Sequence, residues 1–219
     1  MKQTSIIDII SPVMVGPSSS HTAGAVRLGL LAKNIYNEIP DKVVFKLYNS
    51  YAQTGKGHGT DKGLLAGVLG LSVDDVQIKD IFDAEISNEF QYEFQFYEDF
   101  NRHPNAVDII FEGRRNMIIS GNSVGAGEVE ITNIDGFSVS LTGKYNTLLL
   151  VYKDVPNMIS RVTNSIHVNI ASFHCDRSAK GQEASMTICL DGEINQKVVD
   201  FLNLIEDVYM IRYIKKLES

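Results

Sequence analysis

Cysteine is almost absent from this 219-residue chain, and its scarcity excludes several chemistries. Only Cys175 and Cys189 occur, and neither belongs to a C-x-x-C pair, so neither a zinc site nor a disulfide framework is indicated. An ordinary iron–sulfur cluster takes three or four thiolates, more than this chain alone can supply. Both cysteines sit in apolar, strand-like surroundings, where buried and inert thiols are expected. Positive charge is also short. A formal net charge of −7 with no dense Lys/Arg stripe argues against nucleic acid as a partner. Long apolar runs are missing too: Thr147–Tyr152 is the longest clear block near the centre, so no membrane span is expected. Met1-Lys2-Gln3-Thr4 leads into an Ile-rich segment interrupted by Asp8, without the pattern of a signal peptide, and a cytoplasmic location is expected. The apolar fraction of 44% and charged fraction of 21% are those of a soluble globular chain of one or two domains.

What is abundant is hydroxyl chemistry at one place. Ser18-Ser19-Ser20-His21-Thr22-Ala23-Gly24 follows the turn residues Gly16-Pro17 and precedes a helical run carrying Val26, Leu28, Leu30, Leu31 and Ile35. Three serines and an imidazole thus surround the free N–H groups and positive dipole end of a helix, an arrangement suited to a carboxylate or phosphate. An over-supplied N-cap beside a Gly-Pro turn accounts for the same residues equally well.

Further along, Ile6 to Val15 forms an apolar lead-in, a helix is expected from about Thr22 to Tyr36, and Lys42–Tyr48 reads as a strand. Thr54-Gly55-Lys56-Gly57-His58-Gly59-Thr60-Asp61-Lys62-Gly63 reads as a glycine-rich loop presenting His58 at its centre, capped by Thr60 or Asp61 into a helix at 64–69. Residues 72–87 suggest a short polar helix, and Phe90 to Tyr97 alternates as a half-buried strand. A turn at 101–105 separates it from strands at 107–111 and 117–119. Gly121-Asn122-Ser123-Val124-Gly125-Ala126-Gly127 reads as a third small-residue loop, followed by strands at 128–131 and 137–141 and a linker at 143–146. From Thr147 the rhythm changes to βαββαβ, the order of a ferredoxin-like module.

Gly-Pro-Ser-Ser-Ser-His-Thr at 16–22, Thr-Gly-Lys-Gly-His-Gly-Thr-Asp at 54–61, His-Pro-Asn at 103–105 and Ser-Val-Gly-Ala-Gly at 123–127 occur in this order. Together they resemble the motifs of the β subunit of two-subunit, iron–sulfur-dependent L-serine dehydratases, and the resemblance covers essentially the whole chain. It implies an α/β (α+β) protein of two domains. Residues 1–143 would form a serine dehydratase β-type domain similar to the allosteric substrate-binding domain of some phosphoglycerate dehydrogenases. Residues 147–219 would form an ACT domain for assembly and amino-acid regulation. It also implies a partner α subunit whose cysteines, and not this chain, ligate a [4Fe–4S] cluster, and conversion of L-serine to pyruvate and ammonia without pyridoxal phosphate. In such an enzyme an open iron site acts as a Lewis acid on the substrate hydroxyl.

Within that scheme the α-proton needs a base titrating near neutrality, and histidine fits. His58 is the first candidate and His21 the second. Ser18, Ser19, Ser20 and Thr22 are assigned to the substrate carboxylate, and Asp61 to orienting His58 or holding the ammonium group. His103, Asn105, Ser123 and Gly125 are further substrate-site candidates. In the third glycine motif Ala126 stands where the family usually has glycine, which strains the loop if φ there is positive. In the C-terminal module Asp154 and Asn157 are the effector-binding candidates, with asparagine at 157 where glycine is usual; His167 and His174 read as surface or strand-end residues. The resemblance assigns no metal ligand to this chain. A rival reading is a non-catalytic amino-acid sensor, which would need the hydroxyls but no histidine in a glycine-flanked loop; a third is a pure assembly module.

Overall fold

The computed structural model describes residues 14–217, so most of the expected apolar lead-in lies outside the described residues. The protein is mixed α/β with two sheets. It divides into two compact units, one running up to Asp135 and the other from Gly136 onward. No helix among the described residues is long and apolar enough to cross a membrane.

In the first unit a single π-helical turn, Ser19–Ala23, runs without a break into helix α1, Gly24–Tyr36. Asn37 ends α1 in the left-handed region (φ 56°), its amide closing on the Lys33 carbonyl, a role asparagine fills almost as well as glycine. Strand β1 (Lys42–Tyr48) lies centrally, parallel to β2 (Gln91–Tyr97) and antiparallel to β3 (Ala106–Glu112). Strands β4 (Met117–Gly125) and β5 (Glu128–Ile134) extend the sheet antiparallel, giving the order β2-β1-β3-β4-β5. Val43, Val44, Phe45 and Leu47 are all buried, as expected for an interior strand, whereas edge strand β2 leaves Phe96 and Tyr97 partly exposed.

Two expectations fail here, for physical reasons. The glycine-rich stretch is not a loop: helix α2 spans Ser50–His58 and helix α3 spans Thr60–Leu69, separated by Gly59 alone (φ 71°). Glycine costs a helix about 1 kcal/mol per residue, but the fully buried Tyr51 anchors α2 and Gly59 supplies the left-handed stop. Residues 72–87 hold no α-helix but two short 3₁₀ turns, Val76–Asp80 and Glu85–Asn88, pinned by buried Ile78 and Ile81.

Helices α1 and α3 pack with almost no side chain between them. A Cβ on Gly67 would lie 2.1 Å from the Val26 carbonyl oxygen, one on Gly29 2.6 Å from the Leu64 oxygen, and one on Gly63 2.8 Å from the Thr22 oxygen. The backbones approach this closely because these three positions carry none.

The second unit contains β6 (Phe137–Leu141), β7 (Asn146–Lys153), α4 (Met158–Thr163), β8 (Ile170–Arg177), β9 (Glu183–Leu190), α5 (Gln196–Asn203) and β10 (Val208–Ile214). Its four-stranded sheet runs β10-β7-β9-β8, every pair antiparallel, the strand order of a ferredoxin-like βαββαβ unit. Leu148, Leu150, Met186 and Ile188 from the sheet meet Met158, Val162 and Leu202 from the helices. Cys189 is buried as expected, but Cys175, on β8 at the edge of that order, is exposed.

Candidate functional site

The π-helical turn organises the site. Ser18 caps it, its Oγ accepting from the His21 amide at 3.2 Å, and its carbonyl accepts from both Thr22 (2.8 Å) and Ala23 (3.4 Å). Such turns recur where a helix is distorted for function. His21 leaves the turn sideways and meets α2: its Nε2 lies 3.3 Å from Ser50 Oγ and 3.1 Å from Thr54 Oγ1, and its Nδ1 lies 3.5 Å from Ser18 Oγ. Its ring centroid is 5.1 Å from that of His58 and 5.3 Å from that of Tyr51.

The two histidines named from sequence, 37 positions apart, are therefore neighbours. His58 is exposed, the last residue of α2, with the N-terminus of α3 just beyond Gly59. His21 is partly buried. That burial, and secondarily the positive charge His58 can carry, lowers its pKa below the ordinary 6.5, so the neutral, proton-accepting imidazole prevails at neutral pH.

The hydroxyls divide between two tasks. Ser18, Ser19 and Ser20 are half-buried around the turn. Thr22 is buried and donates from Oγ1 to the His58 carbonyl at 2.7 Å, which ties the turn to the end of α2. Ser123 is fully buried; it and Tyr51 both donate to the Ser20 carbonyl at 2.9 Å. A Cβ on Gly24 would lie 2.3 Å from Ser123 Oγ, so the small residue after the turn admits that hydroxyl. Asp61 is half-buried, accepts from the Lys62 amide at 2.8 Å, and has its pKa raised chiefly by burial; it makes no hydrogen bond to His58.

His103 and Asn105 lie one layer behind. Nδ1 of His103 accepts from the Asn105 amide, and the Asn105 carbonyl accepts from the Ser123 amide at 3.0 Å. Gly125 begins the turn joining β4 to β5, with positive φ at Gly125, Ala126 and Gly127 (108°, 52° and 78°). The third small-residue stretch is thus strand up to Gly125 and then a two-residue hairpin of the type I′ kind. Ala126 occupies the strained conformation.

Three contributors lie outside the sequence motifs, Asn49, Ser50 and Tyr51, and Thr54 stands in the second motif without a role assigned to it. Asn49 takes φ 51° and grips the 99–103 turn, donating to the Asp99 carbonyl at 2.8 Å while its Oδ1 accepts from the Asp99 amide at 2.9 Å. An Asn-Ser pair directly after a strand is turn chemistry, and that was the available signal.

In the second unit, Asp154 and Asn157 line one cavity of about 390 Å³ with Tyr152, Cys175 and Arg177. Asp154 Oδ2 accepts from the Gly181 amide (3.1 Å) and from Arg177 (3.2 Å), and these bonds hold its carboxyl below the usual range. Asn157 has φ 67°. Cys175 Sγ lies 3.0 Å from Tyr152 Oη, and the phenol is pushed up, mainly by burial. His174 is exposed, its Nε2 3.1 Å from the Ser138 carbonyl.

Among the described residues no three His, Cys, Asp or Glu side chains converge as a metal centre requires. The two cysteines, Cys175 exposed and Cys189 buried, do not fit an iron–sulfur ligand set.

Comparison with known proteins gives one consistent answer. The sequence profile of the family described as "Serine dehydratase beta chain" matches residues 5–125. The "Probable L-serine dehydratase, beta chain" of Bacillus subtilis is 34% identical over 96% of this chain and 98% of its own. The "L-serine dehydratase, beta chain" of Peptoniphilus asaccharolyticus is 33% identical over 98% and 100%. The "L-serine dehydratase 2" of Escherichia coli is 30% identical over 55% of this chain but only 30% of its own length.

Proposed function

The chain belongs to the serine dehydratase β-chain family, and from that membership we propose that it is the β subunit of a two-subunit L-serine dehydratase releasing pyruvate and ammonia. The observation that carries the reading is the convergence of His21 and His58, with ring centroids 5.1 Å apart, beside a serine-lined helical turn. Such a pair serves proton abstraction from a carbon acid and has no use in mere storage of an amino acid.

In this reading the serines and free amides of the Ser18–Ser20 turn receive the substrate carboxylate. A histidine, His58 first and His21 second, takes the Cα proton. The C–H electron pair becomes the Cα–Cβ double bond as the Cβ–O bond breaks and hydroxide leaves, taking up a proton to become water. The resulting 2-aminopropenoate tautomerises to an imine, which water cleaves to pyruvate and ammonia. Asp61, half-buried in the first turn of α3, serves the substrate ammonium group. His103, Asn105, Ser123 and Gly125 support the turn from behind.

The partner is an α subunit that contributes a [4Fe–4S] cluster through its own cysteines. The "beta chain" names of the two relatives matched along nearly their whole length support this division. The first unit is read as a domain like the substrate-binding domain of phosphoglycerate dehydrogenases. The second is read as an ACT domain that self-associates and regulates, with Asp154 facing an effector's ammonium group in the 390 Å³ cavity. Asn157, already left-handed, takes the place of the customary glycine. The enzyme is assigned to the cytoplasm.

The test is to purify the chain alone and co-expressed with its cysteine-bearing partner, anaerobically, and to assay pyruvate from serine. Activity is expected only in the complex. A complex that forms but binds serine without releasing pyruvate would favour the sensor reading instead.

A further inference from the structure

Which nitrogen of His21 is basic is decided by two hydroxyls on a different helix. Thr54 has one hydroxyl proton, and Oγ1 donates it to the Ser50 carbonyl, 2.9 Å away and one turn back along α2. The same oxygen stands 3.1 Å from Nε2 of His21. With its proton committed, it has only lone pairs to offer there, so Nε2 must carry the hydrogen. Ser50 Oγ, 3.3 Å from Nε2, shares that N–H as a second acceptor. On the other side of the ring, Ser18 Oγ already accepts from the His21 amide. Its proton therefore remains free to turn toward Nδ1 at 3.5 Å, a contact too long to hold the lone pair firmly.

We infer that Thr54 and Ser50 hold neutral His21 as the Nε2–H tautomer, so that its basic lone pair is on Nδ1 and faces Ser18 and the serine-lined turn. The tautomer of a histidine is set by the bond its other nitrogen makes, and here that bond is supplied by α2. Thr54 and Ser50 are thereby positioning residues. Thr54 opens the second sequence motif but carries no role there, and Ser50 lies outside the motifs. The tautomer stands on geometry alone. Its meaning for catalysis, that the lone pair is turned toward the substrate carboxylate site, rests on the function proposed above.

The experiment reads the tautomer directly. The full chain, uniformly ¹⁵N-labelled, is examined by long-range ¹H–¹⁵N correlation at a pH where His21 is neutral. The His21 signals are identified by their loss in His21→Gln. Nε2 is expected in the protonated range and Nδ1 in the unprotonated range. Thr54→Ser should preserve this pattern, whereas Thr54→Val combined with Ser50→Ala should shift both resonances toward an averaged mixture. A wild-type His21 that is Nδ1-protonated, or already averaged, overturns the inference, as does an unchanged pattern in the double variant. The same variants are then assayed in the complex, where kcat should fall more than KM shifts. A complex inactive toward serine with the Nε2–H pattern intact would refute the functional reading and leave the tautomer assignment standing.

Discussion

Replacing Gly67 by alanine tests whether the contact between α1 and α3 sets the site. The added Cβ would lie 2.1 Å from the Val26 carbonyl oxygen, 2.8 Å from the Leu30 amide nitrogen and 2.9 Å from Gly29 Cα. All three are backbone atoms, so no side-chain rotamer can relieve the clash, and the helices must part by about 1 Å. Overpacking of this kind costs about 1–3 kcal/mol, offset by up to about 1 kcal/mol because alanine is the better helix former. The net loss of about 1–2 kcal/mol corresponds to a fall in Tm of roughly 3–10 °C for a unit of this size. Function should suffer more. The π-helical turn bearing His21 leads directly into α1, and His58 is joined to α3 through Gly59. A displacement of about 1 Å between them is enough to cost on the order of 100-fold in turnover. Thermal denaturation and pyruvate release by the complex are the assays. Gly57→Ala is the control on stability, because a Cβ there meets nothing within 4 Å and should raise stability by up to about 1 kcal/mol. A Gly67→Ala protein with unchanged Tm refutes the packing argument. One with lowered Tm but full turnover refutes the link between helix spacing and the histidines.

Three further outcomes are expected. His58→Ala in the complex should lower kcat by about 10²–10⁴-fold with little change in serine KM; near-normal turnover would move the base to His21 or to the partner. Because the His21 pKa is lowered in the folded state by burial and by His58, the unfolded chain binds more protons between the folded value and the ordinary 6.5. Stability should therefore fall as pH drops through about 6.5, with Tyr51 and His58 as the titratable neighbours; urea midpoints at two pH values should converge in His21→Gln. Ala126→Gly should stabilise the chain by up to about 1 kcal/mol, because it relieves a φ of 52° while adding some unfolded-state entropy; a lower urea midpoint would show that the alanine side chain is needed there.

The fold was legible where period and burial agree. Lys42–Tyr48 and Gln91–Tyr97 read as strands because their alternation or apolar density survives in the sheet, and the βαββαβ order of the last third follows from well-spaced apolar runs. The stretch around His58 reads as a loop from sequence because closely spaced glycines are ordinarily loop chemistry. Only Gly59 uses a left-handed conformation, while Gly55 is helical and sits against Thr60. Both histidines could be named from their motifs, but their proximity could not, since it depends on α1 and α3 meeting through Gly29, Gly63 and Gly67. The contacts of Ser50 and Thr54 with His21 are illegible for the same reason: they span 29 and 33 residues, beyond any local pattern. Cys175 looked buried because its neighbours alternate like a core strand; only the strand order puts β8 at the edge.

The carbonyl of Ser20 is gripped from two directions, by the hydroxyls of Tyr51 and Ser123, both buried. Two buried donors on one carbonyl resist rearrangement of the turn, and a receptor held in this way is expected to be largely pre-formed. If serine binds at this turn as proposed, its entry should bring little loss of conformational entropy in the turn. An effector shifts an equilibrium only where two states exist to be weighed against each other. If the proposed function holds, control is then expected to act elsewhere than on the conformation of this turn.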